Sequence, residues 1–226
     1  MLVAAMATAA SASSINIGLN RRASMQMITQ ELEEQPTDEL ERLYPEHNIS
    51  VPIDHFRNAT RYEPHSNGTF DLRYWFDGSY YKPGGPVFVL QAGETSGTNR
   101  LPFLQKGIVH EVIKATHGIG VILEHRYYGK SWPVPDLSTE NFRFLSTEQA
   151  LADQAFFSSN VKFPGLEKYG DLTSSSVPHV AYGGSYAGAF VAFLRVQYPE
   201  VYWGAISSSG VTKALYNYWF VSDIVI

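Results

Sequence analysis

Residues 179–210 read HVAYGGSYAGAFVAFLRVQYPEVYWGAISSSG, and this stretch has the clearest secondary-structure pattern in the chain. A short apolar run ends at Gly183 and Gly184, a single serine follows at Ser185, and a largely apolar segment begins at once. Such a run is typical of a buried strand, and the segment after Ser185 has the pattern of a helix that ends near Pro199. The stretch therefore predicts a strand, a tight turn and a helix, followed by a strand over residues 201–208.

The sequence before this stretch alternates between strand and helix signals. Ser146 and Gln149 form a capping box, which predicts a helix that begins there and ends near Asn160. Residues 69–76 (TFDLRYWF) have the alternating pattern of a half-buried strand. The remaining predictions are buried strands at residues 87–90, 120–123 and 177–182 and a helix over residues 101–115. Strands that alternate with helices predict an α/β fold with a mainly parallel sheet covered on both faces.

The turn at Ser185 has the features of a nucleophile elbow, in which a strained serine lies between a strand and a helix. The N-terminus of the helix favours developing negative charge, so the N–H of Tyr186 is the first candidate donor of an oxyanion hole. A second donor is expected from the loop after the 87–90 strand, at Gly93 or Glu94. The sequence around the serine is G-x-S-x-A rather than the usual G-x-S-x-G, because Ala187 occupies the last position of the motif. The alternative interpretation is a tight turn without catalytic function.

Three segments together resemble the prolyl carboxypeptidase and dipeptidyl peptidase II family of serine peptidases, especially its fungal members. They are GGSYAG at residues 183–188, LEHRYYGKSWP at 123–133 and LSTEQALADQAFF at 145–157. The resemblance implies an α/β-hydrolase core with a helical cap, in a secreted, vacuolar or lysosomal enzyme. It also implies cleavage of peptides near proline, with Ser185 as the nucleophile and without a metal or organic cofactor.

The general base that Ser185 requires is not evident in the sequence. In α/β-hydrolases an Asp or Glu and then a His follow the serine, but all seven histidines precede Ser185 and the one later aspartate is Asp223. His125 is the most plausible substitute, yet the resemblance places His125, Arg126 and Tyr127 in a loop that borders the cleft. The sequence therefore predicts an incomplete α/β-hydrolase, without the cap and the C-terminal part of the core, that is weak or inactive alone.

The N-terminal region carries signals of secretion. Residues 1–12 resemble a signal peptide, residues 13–45 form a polar lead-in, and residues 46–226 would form the N-terminal portion of the peptidase domain. A disordered Ala/Ser-rich start is the alternative for the first segment. Glycosylation sequons at Asn48, Asn58 and Asn67 also favour secretion.

Composition excludes several other functions. The 226 residues have a formal net charge of −5 and no Lys/Arg cluster, which disfavours a nucleic acid partner. No uncharged apolar run approaches ~18 residues, so no membrane span is expected. Peptides that contain proline are the expected partners, no cofactor or metal is expected, and the oligomeric state is not indicated. The aromatic residues at 216–220 would form either the entry to a cap or an exposed apolar patch.

The sequence also leaves two alternative functions open. The protein could be a non-catalytic secreted glycoprotein on a degenerate hydrolase scaffold, or an esterase or lipase.

Overall fold

The computed structural model describes residues 37–213. The predicted signal peptide, most of the polar lead-in and the aromatic residues at 216–220 lie outside this range. The chain divides into two units between Leu40 and Glu41, and α1 (Thr37–Leu43), the first helix within the described range, includes this boundary. All the other elements belong to the second unit.

Between residues 37 and 213, six strands form one mixed sheet. They are β1 (His47–Pro52), β2 (Thr69–Asp77), β3 (Val87–Gln91), β4 (Ile119–Leu123), β5 (His179–Gly184) and β6 (Gly204–Ser208), in the spatial order β1-β2-β4-β3-β5-β6. The pairs β4–β3, β3–β5 and β5–β6 are parallel, whereas β1–β2 and β2–β4 are antiparallel. The carboxyl ends of β3, β4 and β5 therefore meet at one edge of the sheet, which is where ligands bind in α/β proteins.

In the described part of the chain, three further helices connect the strands: α2 (Ile108–Thr116), α3 (Thr147–Asn160) and α4 (Tyr186–Gln197). Short 3₁₀ helices occur at Thr60–Tyr62, Gly97–Leu104, Asn141–Phe144 and Glu167–Tyr169. The predicted N-cap of α3 is confirmed, because the side chain of Ser146 accepts a hydrogen bond from the N–H of Gln149. The side chain of Gln149 bonds to His55 and Asp54 and does not complete the capping box. Apolar side chains of the sheet pack with those of α3 and α4 in one core, among them Val89, Val121, Ala181, Leu151, Phe190 and Leu194. No helix between residues 37 and 213 is sufficiently long and apolar to cross a membrane.

Two predictions of local structure were wrong. The predicted helix over residues 101–115 is a 3₁₀ helix followed by α2, because Gly107 lies between them with a φ of 83° that a continuous helix does not permit. Strand β2 is also not half-buried, since Arg73 and Trp75 on its second face are buried as well. A methyl group at Gly97 would lie 2.3 Å from the ring of Trp75, so the 3₁₀ helix covers that face.

Candidate active site

Ser185 lies between the end of β5 and the first residue of α4. Its φ of 57° and ψ of −124° are strained for a residue with a side chain. The N–H of Ser185 donates to the carbonyl of Ser208 at 3.0 Å, and its carbonyl accepts from the N–H groups of Gly188 and Ala189. The hydroxyl of Ser185 forms no capping hydrogen bond and the residue is exposed. The turn therefore presents this hydroxyl to solvent.

The residues around the turn are small because backbone atoms surround it closely. A methyl group at Gly183 would lie 2.1 Å from the carbonyl oxygen of Ala187. One at Gly188 would lie 2.7 Å from the carbonyl oxygen of Ser208, whereas one at Gly184 would be 4.0 Å from that atom. The strained turn therefore requires glycine at positions 183 and 188, whereas position 184 has room for a side chain.

The loop after β3 faces the turn across a pocket of about 450 Å³. Ser185, Gly93 and Glu94 all line this pocket. Gly93 has a φ of 73°, and a methyl group on it would lie 3.5 Å from Cβ of Ala187 in the first turn of α4. Tyr186 is the first residue of α4, so its N–H has no partner within the helix. The structure thus brings the predicted nucleophile and the predicted oxyanion donors together.

A buried ion pair supports the loop that follows β3. Glu124, at the end of β4, accepts hydrogen bonds from Nε and Nη2 of Arg73 at 2.8 and 2.6 Å. The same carboxylate accepts from the N–H of Gly97 at 2.8 Å and from the hydroxyl of Ser131 at 2.6 Å. Burial alone would raise the pKa of Glu124, but these hydrogen bonds outweigh burial and hold the pKa below its usual value. This pair could not be predicted from the sequence, since its two residues are 51 positions apart in the chain.

His125 is buried and both of its ring nitrogens are engaged. Nδ1 lies 2.7 Å from the carbonyl oxygen of Arg126, so it carries the proton, and Nε2 lies 3.2 Å from the hydroxyl of Tyr186. Burial lowers the pKa of His125, which favours the neutral ring. Burial also raises the pKa of Tyr186, so its hydroxyl stays protonated and donates to Nε2. Neither hydrogen bond of this ring is to Ser185.

Arg126 and Tyr127 are buried, and neither lines the pocket with Ser185. The guanidinium of Arg126 forms two hydrogen bonds with Asp153 of α3, at 2.5 and 2.6 Å, and also reaches the carbonyl of Phe144. The hydroxyl of Tyr127 donates to the carbonyl of Asn141. His125, Arg126 and Tyr127 do not line the pocket that contains Ser185, and their role at the border of the cleft stays a prediction.

The strand order and the strained serine between β5 and α4 define an α/β-hydrolase core. Over residues 52–226 the sequence matches the model of the family described as serine carboxypeptidase S28, and the chain belongs to that family.

Curated relatives agree with this assignment. The chain is 65% identical over 176 residues to a "Probable extracellular serine carboxypeptidase" of Arthroderma benhamiae, which covers 78% of this chain and 24% of that protein. It is 31% identical over 158 residues to the human "Thymus-specific serine protease", covering 70% and 29%. The chain thus spans about a quarter to a third of the length of these relatives.

Among solved structures, the carboxylesterase EstE1 from a metagenomic library matches with a TM-score of 0.47 and 13% identity. The match covers 87% of this chain and 59% of that structure. The family assignment therefore depends on the sequence matches.

Proposed function

We propose that the protein is a serine peptidase in which Ser185 is the nucleophile. The observation that carries this proposal is the hydroxyl of Ser185, which is exposed, free of a capping bond and held on a strained turn at a pocket. Its oxygen attacks the carbonyl carbon of the scissile peptide bond, and the proton passes through a general base to the departing amine. Water then hydrolyses the acyl-enzyme and restores the hydroxyl. The N–H of Tyr186 stabilises the oxyanion in both steps.

The 226-residue chain on its own should be a weak hydrolase. No histidine follows Ser185 in the sequence, and His125 is committed to Arg126 and Tyr186. Removing the base from a catalytic triad lowers the rate by several powers of ten, while the oxyanion hole leaves some residual catalysis. If the chain alone were as fast as full-length relatives, this part of the proposal would be wrong.

We further propose that the substrates are peptides with proline near the scissile bond. The family is described as serine carboxypeptidase, which supports a peptide rather than an ester substrate. The proline preference comes from the resemblance of the segment around Ser185 to prolyl carboxypeptidases. Full-length protein should hydrolyse peptides with an internal proline faster than matched peptides with alanine, and faster than p-nitrophenyl esters of fatty acids.

Secretion is the location that the observations favour. The relative from Arthroderma benhamiae is named as extracellular, and the sequon residues Asn48, Asn58 and Asn67 are all exposed. Exposure is what an N-linked glycan requires. In a fungal host, the secreted protein should lose mass on treatment with an N-glycosidase, and substituting each asparagine by glutamine should remove one step of that loss.

The nucleophile is tested directly with a fluorophosphonate probe on the full-length gene product. We expect one adduct, on Ser185, which peptide mapping by mass spectrometry would locate. The variant Ser185→Ala should not be labelled, while Ser175→Ala, which alters an exposed serine outside the pocket, should still be labelled. A correctly folded wild-type protein that resists the probe would favour the non-catalytic alternative.

A further inference from the structure

Gln91, the last residue of β3, connects the sheet to the loop that faces Ser185. It is buried, and its Oε1 accepts a hydrogen bond from the N–H of Gly93 at 3.3 Å. Its Nε2 donates to Oε1 of Gln154, a buried residue of α3, at 3.0 Å. The backbone N–H can only donate, so it fixes which end of the Gln91 amide faces the loop. That orientation in turn presents the Nε2 of Gln91 to the oxygen of Gln154.

The N–H and carbonyl groups of Ala92 and the N–H of Gly93 all have hydrogen-bond partners. The N–H of Ala92 donates to the carbonyl of Leu123 at 2.9 Å, and the carbonyl of Ala92 accepts from Nε of Arg100 at 3.2 Å. The N–H of Gly93 is engaged by Gln91. Within residues 37–213, the N–H of Glu94 is the first after β3 that has no hydrogen-bond partner. Glu94 is exposed and lines the pocket with Ser185.

We infer that the N–H of Glu94, and not that of Gly93, is the second oxyanion donor. Gln91 is the positioning residue, because its side chain already engages the N–H of Gly93. The inference rests on the proposed function of Ser185. An oxyanion donor must be free to point at the oxygen of the tetrahedral intermediate. By accepting a hydrogen bond from the N–H of Gly93, Gln91 fixes the orientation of the peptide unit between Ala92 and Gly93. The N–H of Glu94 belongs to the next peptide unit and remains free. Gln154 holds the amide of Gln91 in turn.

The first test is kinetic and uses Gln91→Leu in the full-length gene product. Leucine has a similar size but cannot accept the hydrogen bond from Gly93. Since donor geometry matters most in the transition state, we expect kcat to fall about tenfold or more while KM stays within about twofold. Gln154→Leu should give a smaller loss of kcat. The matched control is Gln149→Leu, which alters another buried glutamine of α3 whose partners are Asp54 and His55, and it should leave kcat unchanged.

The second test measures the loop without any catalysis. Amide exchange followed by nitrogen-15 NMR on the 226-residue chain should show slow exchange of the Gly93 N–H and fast exchange of the Glu94 N–H. Gln91→Leu should accelerate exchange at Gly93, whereas Gln91→Glu, which keeps an acceptor oxygen, should preserve its protection. Protection at Glu94, or an unchanged kcat in folded Gln91→Leu, would overturn the inference. Failure of the wild-type protein to react with the fluorophosphonate would instead overturn the proposed function, because the exchange pattern does not depend on catalysis.

Discussion

The hydroxyl of Tyr186 lies 3.2 Å from Nε2 of His125, so the residue after the proposed nucleophile binds the histidine that the sequence suggested as a base. The other nitrogen of His125 is held by the carbonyl of Arg126. The ring therefore joins the HRYYG segment to the first turn of α4, and in this arrangement it cannot accept a proton from Ser185.

His125→Gln should therefore react with fluorophosphonate at a rate within about threefold of the wild-type rate, far from the loss of about 10⁶-fold that follows removal of the base of a triad. The physical reason is that the ring of His125 serves packing and hydrogen bonding, both of which glutamine reproduces in part. The measurement is the second-order labelling rate of full-length protein. A thousandfold loss in a variant that keeps its melting temperature would show that His125 is the base after all.

Gly183→Ala should destabilise the protein by about 1–3 kcal/mol, because the new methyl group would overlap the carbonyl oxygen of Ala187. Gly184→Ala is the matched control, since the nearest atom to its methyl group is 4.0 Å away. Urea unfolding of both variants measures the difference in the free energy of unfolding. Equal stabilities would mean that the turn relaxes easily and is not constrained as described.

Asp153→Asn should destabilise the protein by about 3–5 kcal/mol, since it would leave the buried guanidinium of Arg126 without its ion pair. The comparison is Arg61→Gln, which removes the pair between Arg61 and Glu148. That pair is exposed, so its loss should change the free energy of unfolding by about 1 kcal/mol or less. Similar effects from the two substitutions would contradict the burial of the Arg126 pair.

His179 should make the protein less stable as the pH falls. Burial lowers its pKa to about 4, against the weaker opposing effects of the Leu172 carbonyl and the Asp171 carboxylate. Nδ1 of His179 has no partner in the described part of the chain, so the folded state does not favour a proton there. Between pH 6.5 and about 4 the unfolded state binds the proton and the folded state does not. Stability is therefore complete above pH 6.5 and decreases by about 3 kcal/mol across this window.

The variant His179→Gln isolates this contribution, because glutamine can still donate to the carbonyl of Leu172 but does not titrate. Protonation of buried carboxylates with lowered pKa values, such as Asp54 and Glu124, also destabilises the protein in acid. This effect is the same in the wild type and in the variant. The quantity to compare is the difference in unfolding free energy between pH 7 and pH 4. Parallel pH dependences for wild type and variant would rule out His179 as a source.

Features that depend on local chemistry could be predicted from the sequence. The cap at Ser146 needs a serine and an N–H three residues later, and the turn at Ser185 needs small residues directly beside it. Features that depend on distant partners could not be predicted. The alternating pattern of residues 69–76 places Arg73 on the polar, exposed face of a strand. Its burial depends on Glu124, which is 51 residues further along the chain.

The candidate site shows the same division. Ser185, Tyr186 and the loop at Gly93 could be proposed from the sequence because each follows the end of a strand. The choice between Gly93 and Glu94 could not be made from the sequence, because it depends on the side chain of Gln91 and on Gln154 in helix α3. The buried positions of Arg126 and Tyr127 were missed for a similar reason, since their partners Asp153 and Asn141 lie elsewhere in the sequence.

The hydrogen bond from Ser185 to the carbonyl of Ser208 has a consequence for biosynthesis. Strand β6, which ends at Ser208, completes the backbone environment of the turn and contacts Gly188 closely. Because translation proceeds from the N-terminus, the loop at Gly93 and helix α3 emerge from the ribosome well before this strand does. A nascent chain arrested just after α4 would therefore carry the serine without the partner that holds its peptide unit, and its hydroxyl would acquire its final orientation only once Ser208 has left the exit tunnel.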